Sequence, residues 1–460
     1  MQRTLERIIA VALVLLGVWF AASTGARAEQ ADDPAATAEA AAKADPRASG
    51  EAPSPAEEME AEMRERYGIQ DPVTYRGTFD DKQEAAPRPG DYTLDPQYRG
   101  FIPVPNTVFM IKFNPKPRLD MTLDSKNAGS EYRFVPAKFP VEGMPDYGGG
   151  WRFNANGNGS QLRLDVQAPA APGNFRFYYQ NDFFGSDEAN FRYRLQHLYG
   201  QYHGVVAGFT YGIFENPDAW PDTVDYEGPN SVIFARRPLV HYTKILNEDW
   251  QLTVGLEDPD IYVDNTGASD AKRRTRAPDG GFNIRWFPGD LGHMQFSTIF
   301  RSVGIAGEGV HNDDVFGWGV NLSGSLNVTS RDTLQLWFVY GRGVGGMGND
   351  TSFVNSDAAL NADGSLEALE YGSTMIALSH RWTPRWRSTL THGYANLANT
   401  ALQAGDAYHV SHYASVNLVY KVLKRLSVGI EGLYGYHKVN DGSDVGLYRI
   451  QVGLVYSLFD

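Results

Sequence analysis

The stretch that decides the fold runs from Asn190 to Thr243: NFRYRLQHLYGQYHGVVAGFTYGI, then FENPDAWPDTVDYEGPNS, then VIFARRPLVHYT. In the first part Phe191, Tyr193 and Leu195 alternate with Arg192, Arg194 and Gln196. Gly200 and Gln201 then leave room for only a tight turn. A second run follows, with Val205, Ala207, Phe209 and Tyr211 on one face. An irregular segment rich in Pro and Asp separates it from a third run. A side-chain period of two means strand. Here the aromatic face is backed by a face of arginines. A buried sandwich core cannot take a row of guanidinium groups, because unpaired buried charge is too costly. A membrane barrel can, if the apolar face meets lipid and the charged face lines water.

The same pattern continues outward in both directions. Alternating runs occupy 107–124, 150–167, 173–184, 189–200, 202–213, 231–243, 248–258, 279–287, 292–303, 314–327, 332–342, 371–382, 384–394, 406–421, 425–437 and 443–458. Connections alternate between short (199–201, 244–248, 383–384, 422–425) and mostly longer (125–149, 214–230, 259–278, 343–370). Short–long alternation belongs to an up-and-down barrel with tight turns in the periplasm and longer loops outside. The expected fold is therefore all-β: a 16-stranded antiparallel transmembrane β-barrel over 101–460, both termini periplasmic.

The faces agree between runs. Phe175, Phe177 and Tyr179 oppose Arg176, Tyr178 and Gln180. Trp151 and Phe153 oppose Arg152 and Asn154; the phase slips across Gly157–Gly159, where a bulge is expected, and Leu162, Leu164 and Val166 then oppose Arg163 and Asp165. Phe282, Ile284 and Trp286 oppose Asn283 and Arg285. A lipid-facing Arg near the midplane costs about 2–4 kcal/mol, so the arginines are expected to look inward.

Composition fits. The chain of 460 residues has no Cys, which excludes disulfides and thiolate metal sites, while Tyr (25), Phe (24), Trp (9) and Gly (48) are abundant. Residues 1–28 read as a secretory signal. Arg3 and Arg7 precede the apolar run Ile8–Ala22, and Ala26-Arg27-Ala28 is a small-x-small cleavage site; the alternative is a single membrane anchor. Residues 29–100 form a periplasmic extension, mostly disordered, with a short helix over 55–67. That extension holds 17 acidic and 8 basic residues, so the net charge of −14 says little about the barrel.

Four segments carry a resemblance: FYYQNDFFG (177–185), LYGQYHGVVAGFTYGIF (198–214), PDTVDYEGPNSVIFARRPLVHYT (221–243) and WRFNANGNGSQLRLDV (151–166). In these the chain resembles the DcaP-like porins of Gram-negative outer membranes, over roughly 101–460. The resemblance implies a trimeric porin for small anionic solutes, dicarboxylates being the family's substrate class. It also implies an N-terminal periplasmic coiled coil, for which 55–67 is short. Porins usually end on an aromatic residue, whereas this chain ends Leu458-Phe459-Asp460, with Phe459 out of phase with the lipid face.

A porin does no covalent chemistry, and no cofactor or metal is expected. Selectivity comes from bore, charge rings and any loop folded inside. Segment 214–230 is the best candidate for that loop, with prolines to stiffen it, Trp220 to pack on the wall, and Asp218, Asp222, Asp225 and Glu227 to offer. Across the lumen Arg152, Arg176, Arg192, Arg194 and Arg236 form the candidate basic ladder. Arg236 and Arg237 are expected on opposite faces, Arg236 being the lumenal one. These arginines either line a selective pore or pair with loop acids and brace the barrel. Lys272-Arg273-Arg274-Thr275-Arg276 either concentrates anions at the mouth or contacts lipopolysaccharide, unless it is merely solvated. Asp258, Asp260 and Asp264 lack the spacing of a calcium loop, and His409 and His412 are expected on opposite faces. The rival classes are an adhesion or assembly barrel and a barrel hydrolase. The sequence has no GxSxG or HExxH, and no nucleic-acid partner is expected.

Overall fold

A computed structural model describes residues 101–168, 175–186, 190–268, 270–307, 310 and 314–458. The signal, the extension with its 55–67 helix, and Phe459–Asp460 lie outside the described residues.

The alternating runs form one antiparallel ring. In chain order its staves are β1 (Met110–Phe113 and Arg118–Asp124), β2 (Arg152–Asn156 and Leu162–Ala168), β3 (Phe175–Asp182), β4 (Arg194–Tyr202), β5 (Val205–Tyr211), β6 (Arg236–Ile245), β7 (Trp250–Glu257) and β8 (Asp279–Trp286). They continue as β9 (Gly292–Ala306), β10 (Asp314–Asn327), β11 (Asp332–Arg342), β12 (Glu370–Arg381), β13 (Trp386–Leu397), β14 (Tyr408–Leu423), β15 (Leu426–Val439) and β16 (Asp444–Tyr456). Each pairs with the next, and β16 returns to β1, Val455 opposite Arg118 and Arg449 opposite Asp124. Closure removes the unpaired edge that an open sheet would expose to lipid. β1 breaks at Pro115 and Pro117, which cannot donate to the ladder, and β2 breaks opposite it at Gly157–Ser160. The phase slip expected there is present.

The outward face is apolar. Phe153, Phe316, Leu390 and Tyr448 are more than half exposed, as lipid contacts should be. On the short-turn side Trp250 stacks on Trp286 (5.8 Å) and Trp386 on Tyr420 (4.4 Å); toward the other end lie Trp318–Tyr340 and Tyr434–Tyr448. These are two aromatic girdles at the expected levels.

Some local expectations need correction. The turn between β4 and β5 is not at Gly200-Gln201 but at His203-Gly204, both with positive φ (48° and 79°), the primed-turn geometry of a two-residue hairpin. β4 begins at Arg194, so Phe191 and Arg192 belong to a loop, Phe191 with φ 54°. Tyr211 leaves the outward row and packs on Trp220 (5.9 Å) and Phe234 (5.9 Å) inside.

The hydrophobic core lies inside the ring, built by three long loops. Val135 from loop 125–151, Phe214 and Trp220 from loop 212–235, and Val344 and Met347 from loop 343–369 pack on inward Trp337, Tyr371, Met375 and Tyr408. Phe134 and Phe139 pack on Tyr413, Leu433 and Leu447. Sequence reasoning brought only one of these loops inside. The other two carry no alternation to mark them; loop 125–151 has prolines of its own at 136, 140 and 145, while loop 343–369 has none.

Candidate functional site: the inward loop and the arginine wall

Loop 212–235 crosses the interior and is held at each step by inward side chains of the staves. Its one regular turn, Pro217–Ala219, starts on a proline, which needs no partner for its missing N–H. Asn321 donates to the Phe214 carbonyl (2.6 Å) and Trp337 Nε1 to the Ala219 carbonyl (3.1 Å). Asn417 donates to the Asp222 carbonyl (2.7 Å), Arg118 to the Val224 carbonyl, and Ser373 to the Ser231 carbonyl (2.7 Å). A strand edge is absent here, so polar side chains satisfy the loop's buried carbonyls instead. The anchors come from β1, β10, β11, β12 and β14, so the loop reaches far around the ring.

The four loop acids are anchors. Asp218 takes Arg285 (2.7 Å), Asp222 takes Arg387 (2.5 Å), and Glu227 takes Arg133 (3.1 Å). Asp225 accepts the Gly228 amide (3.0 Å) and the Tyr413 hydroxyl (3.2 Å), while its own amide donates to Glu431 (2.5 Å). All four are buried.

The expected arginine ladder is only partly assembled. Arg176 and Arg194 sit on neighbouring staves facing inward, Arg176 with Asp165 (2.6 Å) and Arg194 with Asp182 (2.5 Å). Arg236 donates to the Tyr211 hydroxyl (2.9 Å), its guanidinium over the Phe234 ring (4.4 Å). Arg194 and Arg236 both act on Asp182. Arg152 lies exposed at the outer end of β2, and Arg192 lies exposed in the loop before β4; neither joins the cluster. The opposition of Arg236 and Arg237 also fails. Arg237 is buried inward on Asp279 (2.8 Å), while Arg236, at the first residue of β6, reaches Tyr211 and Phe234 on the same side of the wall.

Sequence reasoning left other inward arginines out of the site. Arg118 binds Asp120 (2.6 Å), Arg163 donates to Gln161 (2.9 Å), Arg449 binds Asp124 (2.6 Å), and Arg301 bridges Asp279 (2.8 Å) and Asp357 (3.1 Å). A signal existed for two pairs. Arg118 and Asp120, and likewise Gln161 and Arg163, are two apart along the wall and so share a face. Arg133 and Arg387, which fix the loop, stand in no such pattern.

Two loop carboxyls are pushed upward by burial. Glu215 rises well above the ordinary range, with nearby Glu257 adding to the rise, and Asp350 rises to about 7. Asp350 accepts the Ala137 amide (2.9 Å), tying loop 343–369 to loop 125–151.

No group of three or more metal-ligating side chains gathers among the described residues. Asp260 accepts Tyr262 (2.9 Å) and Asp264 accepts Gln403 (3.1 Å) rather than converging. His409 contacts the Leu397 carbonyl (3.0 Å), while His412 packs beside Tyr394 (5.0 Å). Lys272–Arg273 extends the wall above β9, and Arg276 meets Asp314 (3.2 Å) in the open.

This closed ring with loops folded into it agrees with a family-model match: residues 105–457 fit the model of the DcaP outer membrane protein. The chain belongs to the DcaP outer membrane protein family. Its place is the bacterial outer membrane. Among solved structures, the outer membrane channel DcaP of Acinetobacter baumannii matches with TM-score 0.67 at 20% identity, over 76% of this chain and 97% of that one. At that identity the likeness establishes fold alone. OmpT of Vibrio cholerae (10% identity, 77% of this chain, 99% of that one, TM-score 0.47) and Salmonella typhi OmpF in complex with daunomycin (10%, 78%, 100%, 0.47) are more distant and carry no argument. No curated protein matches. The DcaP-family assignment covers the whole described ring, so the inward loop and the arginine wall both fall within it.

Proposed function

We propose that this DcaP-family chain is a diffusion channel favouring small anions, dicarboxylates among them, with loop 212–235 narrowing the lumen. One observation carries the preference. In the Arg194–Asp182 pair the Arg194 side chain keeps 22% exposure while that of Asp182 keeps 0%. The carboxylate is spent behind the wall, and the cation faces the water. Partly exposed Arg236 stands beside it, giving two guanidinium groups for one hidden acid. Guanidinium forks suit carboxylates, which they bind bidentately. The bracing role of the arginines and the selective role then coexist in one pair. The working unit is a homotrimer, and the exposed run 272–276 faces the phosphates of lipopolysaccharide.

The test is single-channel conductance with reversal potential in a salt gradient, on protein lacking residues 1–28. Openings in threes with anion preference, reduced in Arg194→Gln/Arg236→Gln, are expected. A closed barrel, or cation preference indifferent to those changes, would overturn the reading.

A further inference from the structure

Beneath the tip of the inward loop, on the short-turn side, lies a recess of about 140 Å³ between the lower ends of β13–β16 and β1. Above it, two wall positions without side chains let the loop tip approach the wall closely. A Cβ at Gly429 would come within 2.5 Å of Val224, and one at Gly453 within 2.8 Å. The loop tip therefore seats against bare backbone. Arg118 holds the Val224 carbonyl from the side, and the space below stays open.

The chemistry of the lining is one-sided. Asp222 is the only carboxylate among the described residues that line it, and Arg387 takes it at 2.5 Å. Arg118 is likewise bound to Asp120. That leaves Lys421, Lys424 and Arg425, which make no ion pair among the described residues. Between them the floor is apolar, formed by Val419 and Val455, with Val224 of the loop tip as its roof. Three cations around an apolar floor, in a recess partly screened from bulk water, describe a receptor for an anion with a compact hydrocarbon body. A bare inorganic anion meets the charges but gains nothing from the valines.

We propose that this recess binds small organic carboxylates at the periplasmic end of the lumen, on the near side of the inward loop for a solute arriving from the periplasm. The proposal rests on the channel reading and adds a sidedness to it. An anion added on the short-turn side reaches the recess without passing the loop. One added on the long-loop side must first cross the constriction.

The test uses oriented single channels of the protein lacking residues 1–28, with benzoate as probe and inorganic phosphate as comparison. Benzoate is expected to reduce chloride current at about tenfold lower concentration from the short-turn side than from the other, and phosphate to show a weaker difference. Lys421→Gln/Lys424→Gln should abolish the sidedness, while Val419→Ser should weaken benzoate and leave phosphate unchanged. Heat-modifiable gel mobility verifies that each variant is folded. Equal block from both sides, unchanged in the double variant, would overturn the site even if the channel prefers anions. Equal potency of phosphate and benzoate would overturn the carboxylate assignment. One-sided benzoate block in a channel that prefers cations would instead keep the site and sink the anion-channel reading.

Discussion

At Asp182 one carboxylate serves Arg194, Gln196 and Tyr226 at once, with none of its side chain exposed. Removing Arg194 takes away the cation bonded to that charge and leaves only Arg236 acting on it. Arg194→Gln should cost about 3 kcal/mol, the low end for a broken buried pair because Gln196 and Tyr226 remain, read as a lower urea midpoint in detergent. The same variant should lose anion preference. Arg192→Gln, two residues earlier, should change neither, because Arg192 lies exposed outside the stave. This contrast separates the guanidinium that the fold places from the one that alternation alone put in the same row.

At the scale of the loops, the interior is a packed structure with its own pH response. Asp350 has its carboxyl raised by burial from 3.8 to about 7. A raised acid favours the folded state when protonated. Its contribution is fully present below about pH 4 and is lost as pH climbs through about 7, at up to about 1.4 kcal/mol per unit. Protection of the Ala137 amide against hydrogen exchange, corrected for intrinsic rate, should therefore fall between pH 5 and pH 8. Asp350→Asn should flatten that dependence. Asp218→Asn/Asp222→Asn tests the anchoring of loop 212–235. Each change weakens a charged bond worth about 1.5–3 kcal/mol. Current noise and proteolysis within the loop should increase. A shift toward anions with a quiet current would mean instead that these acids set selectivity directly.

For the molecule as a whole, the field from exposed guanidinium groups is what salt can screen. The anion-to-cation permeability ratio should shrink as salt rises from about 0.1 M to about 1 M, where the Debye length falls from about 10 Å to about 3 Å. The buried pairs should not respond, so the urea midpoint should hardly move over the same range. Ring closure is a separate whole-molecule property. It depends on β16 pairing with β1, which joins the two ends of the described chain across seven register positions.

The sequence by itself determined the ring. A period of two with an apolar face and a polar face admits few alternatives, because lipid on one side and water on the other punish every slip of register. The run of staves and the break at Gly157–Gly159 were legible for that reason, though not the exact ends of β4 and β5; the inward segment 214–230 was marked instead by its prolines, Trp220 and acids. What only the tertiary structure decided lies inside. Arg133 stands outside any alternating run, and the alternation that turns Arg387 inward does not name its partner, yet they hold Glu227 and Asp222 from positions 94 and 165 residues away. Loops 125–151 and 343–369 enter the ring because Phe134, Phe139, Val344 and Met347 find inward apolar neighbours there. Whether an arginine lines water or locks a carboxylate depends on which residue stands across the lumen. Alternation along one strand holds no information about that distance.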